Sequence, residues 1–271
     1  IKLFNTKPLF VHSNIEGFFK VVGENGEDYC FQALNNAEAQ SWISALNLSK
    51  RYTYLSKDAQ GLTSSKVFGV PIADVCEREG SLIPRIVERL LQEIEVRGLD
   101  ETGLYRIPGS VGSINLLKQA FDEGGDFTLE DDRWFEINTL AGCFKSYLRE
   151  LPESLLTSEL LPEFVLATKQ GDLVENMKSL VRQLPVHNYH LLKRLFEHLN
   201  KVIQHSENNR MDAVNLAIVF SMSFINNDNI GASMGTDLGA LQTILQSLIK
   251  NPEAVFNEQY NDDSTVFTAA E

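Results

Sequence analysis

Residues Tyr189–Gln204 read YHLLKRLFEHLNKVIQ, and this stretch decides the fold of most of the chain. Leu191, Leu192, Leu195, Phe196, Leu199, Val202 and Ile203 recur at helical spacing and share one face, which predicts a long amphipathic helix packed against a core. The same pattern appears upstream in Ile83, Ile86, Val87, Leu90, Leu91 and Ile94. There Ser81 is the expected N-cap, Pro84 is tolerated in the first turn, and Gly98 is the stop. Further helices are predicted over Ser113–Phe121 (closed by Gly124 and Gly125), Thr139–Leu151 (ended by Pro152), Leu160–Thr168, Leu173–Leu184 and Leu238–Leu248. Met211–Phe224 is apolar nearly all round, so a helix buried on every side is expected there. No strand pattern interrupts this part, which reads as an all-α domain.

The opening of the chain reads differently. Gly17–Val22 and Tyr29–Ala33 are β-prone, and Asn25-Gly26 between them is hairpin chemistry. Asn35 and Asn36 then cap a predicted helix, Ala37–Leu48, whose apolar face carries Ala39, Trp42, Ile43 and Leu46. So few elements enclose little core, so this is the end of a domain. The overall class is α+β: a partial β-plus-helix unit, then a helical domain. The expected divisions are 1–50 for the first unit, 51–65 for a linker, 66–260 for the helical domain and 261–271 for a tail.

The net charge of −13 argues against nucleic acid as a partner. Basic and acidic residues balance over the first 60 positions, so the acid excess lies in the helical part. Cys30, Cys76 and Cys143 are odd in number and far apart, which fits a reducing, cytoplasmic setting and predicts three small buried hydrophobes. No apolar run reaches the roughly 18 residues of a membrane span. The chain opens at Ile1 with no signal-peptide pattern, as a piece cut from something longer would.

Three places could carry chemistry. Lys145 and Arg149 lie four apart, opposite the apolar arc of their helix. They form either a solvated face or a cationic patch for an acidic or phosphate-bearing partner. Asn215 is an amide in an apolar run, and it bonds either to a neighbouring loop or across an interface. Gly103-Leu104-Tyr105-Arg106-Ile107-Pro108-Gly109 is a stiff, glycine-bounded loop able to aim one long side chain outward, although most loop arginines are ordinary surface. The scattered histidines, His198 and His205 among them, read as satisfied or solvated. Gly231–Gly239 lacks the Gly-Lys-Ser/Thr of a P-loop.

In combination these stretches resemble the RhoGAP family. Residues 103–110 look like its arginine-finger loop, Lys145–Pro152 like its second motif and Asn215–Phe220 like its third. Phe68–Ile72 is similar to the start of its domain, and the resemblance covers about residues 66–258. With Gly235–Ala240 included, the chain looks most like the RhoGAP domain of the large fungal bud-emergence proteins. Where the family usually has Gly/Ser-Pro-Thr/Asn-Leu, this chain has Ser221-Met222-Ser223-Phe224. The first unit resembles the C-terminal part of a PH domain.

The resemblance implies a GTPase activator, not an enzyme in its own right. Arg106 would be the catalytic finger, entering the nucleotide site of a GTP-bound Rho-family GTPase. Gly103, Tyr105, Lys145, Arg149, Asn215 and Pro152 would support the finger loop and bind the GTPase. There would be no metal or cofactor of its own, since Mg²⁺ and GTP are held by the partner. A phosphoinositide membrane is implied as a partner of the complete PH domain, with recruitment to the cell cortex. The other reading of the first unit is a PH remnant that packs or orients the second domain. A binding module without catalytic effect, a lipid-directed scaffold and a free-standing hydrolase are the rival functions. The joint presence of Arg106, Lys145, Arg149 and Asn215 argues against the first, and no Ser/His/Asp arrangement supports the last.

Overall fold

In a computed structural model, the structure describes residues 7–10, 16–22, 28–36, 39, 65–124, 127–224 and 238–256. The chain divides into two compact units, Ile1–Ser64 and Ser65–Glu271.

The first unit holds an antiparallel sheet of β1 (Lys7–Phe10), β2 (Phe18–Val22) and β3 (Asp28–Gln32), in that order. The sequence reading missed β1, whose four residues are too few to show alternation. Phe19 pairs with Phe31 and Lys20 with Cys30 across β2 and β3. Phe19 and Val21 are buried with Ala39, and the Phe19 ring stacks on Phe31 at 5.3 Å. Because side chains alternate along a strand, Cys30 falls on the opposite face with Lys20 and is exposed. The expectation that it is buried is therefore wrong, while Cys76 and Cys143 are buried as expected. Most of the helix read over Ala37–Leu48, the Asn25-Gly26 turn and the linker lie outside the described residues. The side chain of Asn36 accepts a bond from Gly17 N at 2.8 Å.

Every regular element among the described residues of the second unit is a helix, with no strand among them. In order they form α1 (Ile72–Glu79), α2 (Arg85–Arg97), α3 (Val111–Glu123), α4 (Ile137–Arg149), α5 (Leu161–Ala167) and α6 (Leu173–Val181). These are followed by α7 (Val186–Gln204), α8 (Ser206–Asn209), α9 (Ala213–Ser221), α10 (Leu238–Lys250) and α11 (Pro252–Phe256). One continuous apolar core runs from Val67 to Phe256. The stripe of α7 lies at its centre: Leu191, Leu192, Leu195, Phe196, Leu199 and Val202 are all fully buried. The α2 stripe of Ile86, Val87, Leu90, Leu91 and Ile94 is buried as read, and Gly98 ends that helix.

Two readings need correction. Ser81 does not cap α2. Pro84 disfavours a helical conformation at Ile83, so the helix starts after it. Pro84 is the N-cap and Arg85 N donates to Glu79 Oε2 at 2.7 Å, while Ser81 Oγ donates to Ile83 O. Nor is α9 buried all round. Val214, Ile218 and Met222, spaced four apart, are 48%, 49% and 60% exposed, so the helix presents an apolar stripe outward. No helix among the described residues is long and apolar enough to cross a membrane.

Candidate functional site

Between α2 and α3 the chain runs through a series of turns that set Arg106 apart from its neighbours. Leu104 and Tyr105 are fully buried, whereas Arg106, Ile107 and Pro108 are exposed. Arg106 N and Ile107 N both donate to Gly103 O at 2.8 Å, which curls the loop tightly. Gly103 has φ +75° and Tyr105 φ +68°. Glycine adopts this left-handed region freely, but a bulky residue there is strained by on the order of 1 kcal/mol or more. The Arg106 side chain has no hydrogen bond or ion pair among the described residues.

The strain at Tyr105 persists because the loop is held from several sides. Gly103 N donates to Asn209 O at 2.7 Å. Asn209 is itself fully buried; its Nδ2 donates to Leu99 O and Val202 O, both at 2.8 Å, and its Oδ1 accepts from Met211 N. Lys145 Nζ, on α4, donates to the carbonyl of Tyr105. The Tyr105 ring meets Phe220 of α9 at 4.9 Å, His198 of α7 at 5.8 Å and Phe144 of α4 at 6.4 Å, edge to face. Its hydroxyl lies 2.6 Å from His198 Nε2, and His198 Nδ1 lies 2.9 Å from Glu95 Oε1. Glu95 also accepts from Arg194 Nη1 and Lys201 Nζ, each at 2.8 Å.

The predicted site residues are thus partly gathered. Gly103, Tyr105, Arg106 and Lys145 form one bonded unit. Lys145 is half-buried against the loop, and burial, with the nearby Arg149 charge, lowers its pKa. Arg149 stays exposed, its Nη2 donating to Ser146 Oγ at 2.9 Å, and it is not bonded to the loop. Asn215 lies on α9, half-exposed beside the outward stripe. Its backbone N is capped by Asp212, and its side chain makes no hydrogen bond to the loop among the described residues. Pro152 is exposed just beyond the end of α4. The sequence reading missed Asn209, Glu95 and His198 as parts of this site. A signal was available for His198, which falls on the Leu191, Leu195, Val202 side of α7, where a polar residue needs a buried partner.

The network makes stability sensitive to acid. Burial lowers the pKa of His198 from its ordinary 6.5, against the pull of Glu95. Below that value the unfolded chain takes up a proton that the folded core refuses, so stability falls as pH falls. Burial opposes ionisation of Glu95, but bonds from His198, Lys201 and Arg194 outweigh it and hold the carboxyl well below the usual range. That contribution is intact above the ordinary carboxylate value and is lost as pH falls towards the depressed one. Thermal unfolding is therefore expected to shift to lower temperature between about pH 7.5 and 5.5, and further towards about pH 4. In His198→Gln the first of these shifts should shrink. An equal shift in that variant would remove His198 as its source.

Residues 84–229 match the model of the RhoGAP domain. The chain is 60% identical over 250 residues to the GTPase-activating protein BEM2 of Eremothecium gossypii, covering 88% of this chain and 12% of that protein. It is 52% identical over 276 residues to the GTPase-activating protein BEM2/IPL2 of Saccharomyces cerevisiae, covering 95% and 13%. The chain therefore spans a small part of the length of these two relatives. Among solved structures it resembles human Rho GTPase activating protein 15, with a TM-score of 0.68 and 32% identity over 73% of this chain and 96% of that one. With the match extending over more than half its length, the chain belongs to the RhoGAP domain family.

Proposed function

We propose that this chain stimulates GTP hydrolysis by a Rho/Rac/Cdc42-type small GTPase in its GTP-bound form, with Arg106 entering the nucleotide site in trans. One observation carries the reading: Arg106 is exposed and has no partner among the described residues, while the residues before it are buried and bonded in place. With the backbone on its inner side fixed, the loop needs little rearrangement to present the guanidinium to developing charge, and the side chain breaks no bond in doing so. Lys145 holds the loop. Arg149, Asn215 and Pro152, all at least partly exposed, bind the switch regions of the partner. Nucleotide and Mg²⁺ belong to the GTPase, so the chain is an activator. The first unit, with antiparallel strands followed by the start of a helix, is read as the end of a PH domain.

The test is single-turnover hydrolysis on GTP-loaded Rho-, Rac- and Cdc42-type GTPases with and without this chain. A finger supplied in trans is expected to raise the rate by about 10³–10⁵-fold on at least one of them. No acceleration on any of the three would sink the proposal.

A further inference from the structure

Tyr105 adopts an unfavourable backbone conformation one residue before the side chain that is to act. Such an outlier survives only where its surroundings over-determine it. Lys145 holds the carbonyl and Phe144 and Phe220 hold the ring, and the far end of the side chain is held separately. There the hydroxyl meets His198 Nε2 at 2.6 Å, fully buried on both sides.

The chemistry of the contact fixes its direction. His198 Nδ1 faces a carboxylate, so it carries the hydrogen, and Nε2 keeps its lone pair. The Tyr105 hydroxyl is then the donor. Glu95 on α2 can impose this arrangement because Arg194 and Lys201 of α7 fix both of its oxygens. Arg194 in turn bonds Glu88 through Nε at 3.1 Å. Glu95 from α2, and Arg194 and Lys201 from its own helix, are the charged groups that act on the histidine. A chain of bonds thus leads from the α2–α7 interface to the residue next to Arg106, as an orienting carboxylate holds a histidine in a catalytic site.

We propose that His198 and Glu95 are positioning residues for the arginine loop, acting through the Tyr105 hydroxyl to fix where Arg106 points. The proposal rests on the activating function above. It assigns a role in rate and not in grip, since neither residue lies on the exposed side of the loop.

The experiment is single-turnover GTP hydrolysis at increasing concentrations of the chain, which separates the maximal rate from the half-saturating concentration. Folding is checked by circular dichroism and thermal unfolding. Tyr105→Phe removes the hydroxyl alone, and His198→Leu removes its acceptor. His198→Gln keeps an acceptor for Tyr105 and a donor for Glu95. The first two are expected to lower the maximal rate by about tenfold, with the half-saturating concentration within about threefold of wild type. His198→Gln should return to within about threefold of the wild-type rate. Should His198→Leu not fold, Tyr105→Phe decides. A wild-type maximal rate in Tyr105→Phe overturns the positioning role, as does a loss seen only in the half-saturating concentration. A His198→Gln variant that folds yet falls as far as His198→Leu overturns it too. A wild-type chain that accelerates nothing overturns the activating function itself, an outcome distinct from these.

Discussion

Arg106→Ala is expected to abolish most of the acceleration, by about 10³–10⁵-fold in the maximal rate, or roughly 4–7 kcal/mol of transition-state stabilisation. Negative charge develops on the β–γ bridge and the γ-phosphoryl oxygens as the bond to the leaving group breaks. A guanidinium placed there stabilises that state more than the bound substrate. Affinity for the GTP-bound partner should therefore change by only a few-fold, which titration in the absence of turnover would show. Stability should also hold, within about 0.5 kcal/mol, because the Arg106 side chain has no partner among the described residues. Arg106→Lys should recover little, since an ammonium is a point charge without the planar fork of donors. Full acceleration by Arg106→Ala would mean that the finger is not the source of the effect.

The legible part of this molecule was the part written in long periodic stripes. On α2 and α7 the buried face follows from spacing alone, because both are amphipathic over three or more turns. Helices α8 and α11 have four and five residues and offer too few turns for a period to show. The start of α2 was misplaced because a serine cap signal was weighed above the constraint that Pro84 puts on the residue before it. In α9, apolar residues on every side hid the outward stripe of Val214, Ile218 and Met222, since periodicity cannot reveal a face where there is no contrast. At the site, Arg106 was readable from its loop and the motifs in company with it. Its anchoring was not. Lys145 is 40 positions from the carbonyl it binds, and His198 is 93 from the hydroxyl it meets. Only the fold brings these groups together.

Gly109→Ala is expected to lower the maximal rate by about 100-fold without touching any group that contacts the nucleotide. The φ of Gly109 lies outside the left-handed region, so the objection to a side chain is one of space. A Cβ there would stand 2.6 Å from the carbonyl carbon and oxygen of Asn138 and from Cα of Thr139. All three are backbone atoms in the first turn of α4, next to Ile137 and Leu140, which are buried in the core. Close-packed interiors yield little to such an intrusion. The exposed loop yields more easily, because Ile107 and Pro108 lie on its open side. The stretch from Arg106 to Pro108 would lift from α4, carrying the guanidinium with it, while Tyr105 stays anchored in the core. A displacement of about 1 Å is enough to cost roughly two orders of magnitude in rate when the displaced group must meet a transition state. The loss should appear in the maximal rate more than in the half-saturating concentration, because α9 and the end of α4 keep their places. Gly112→Ala is the control: its nearest neighbour outside the helix backbone is Ser110 Oγ at 3.8 Å, so alanine fits and should leave the rate unchanged. Equal rates for the two variants would show that the close approach of Gly109 to α4 does not set the aim of Arg106.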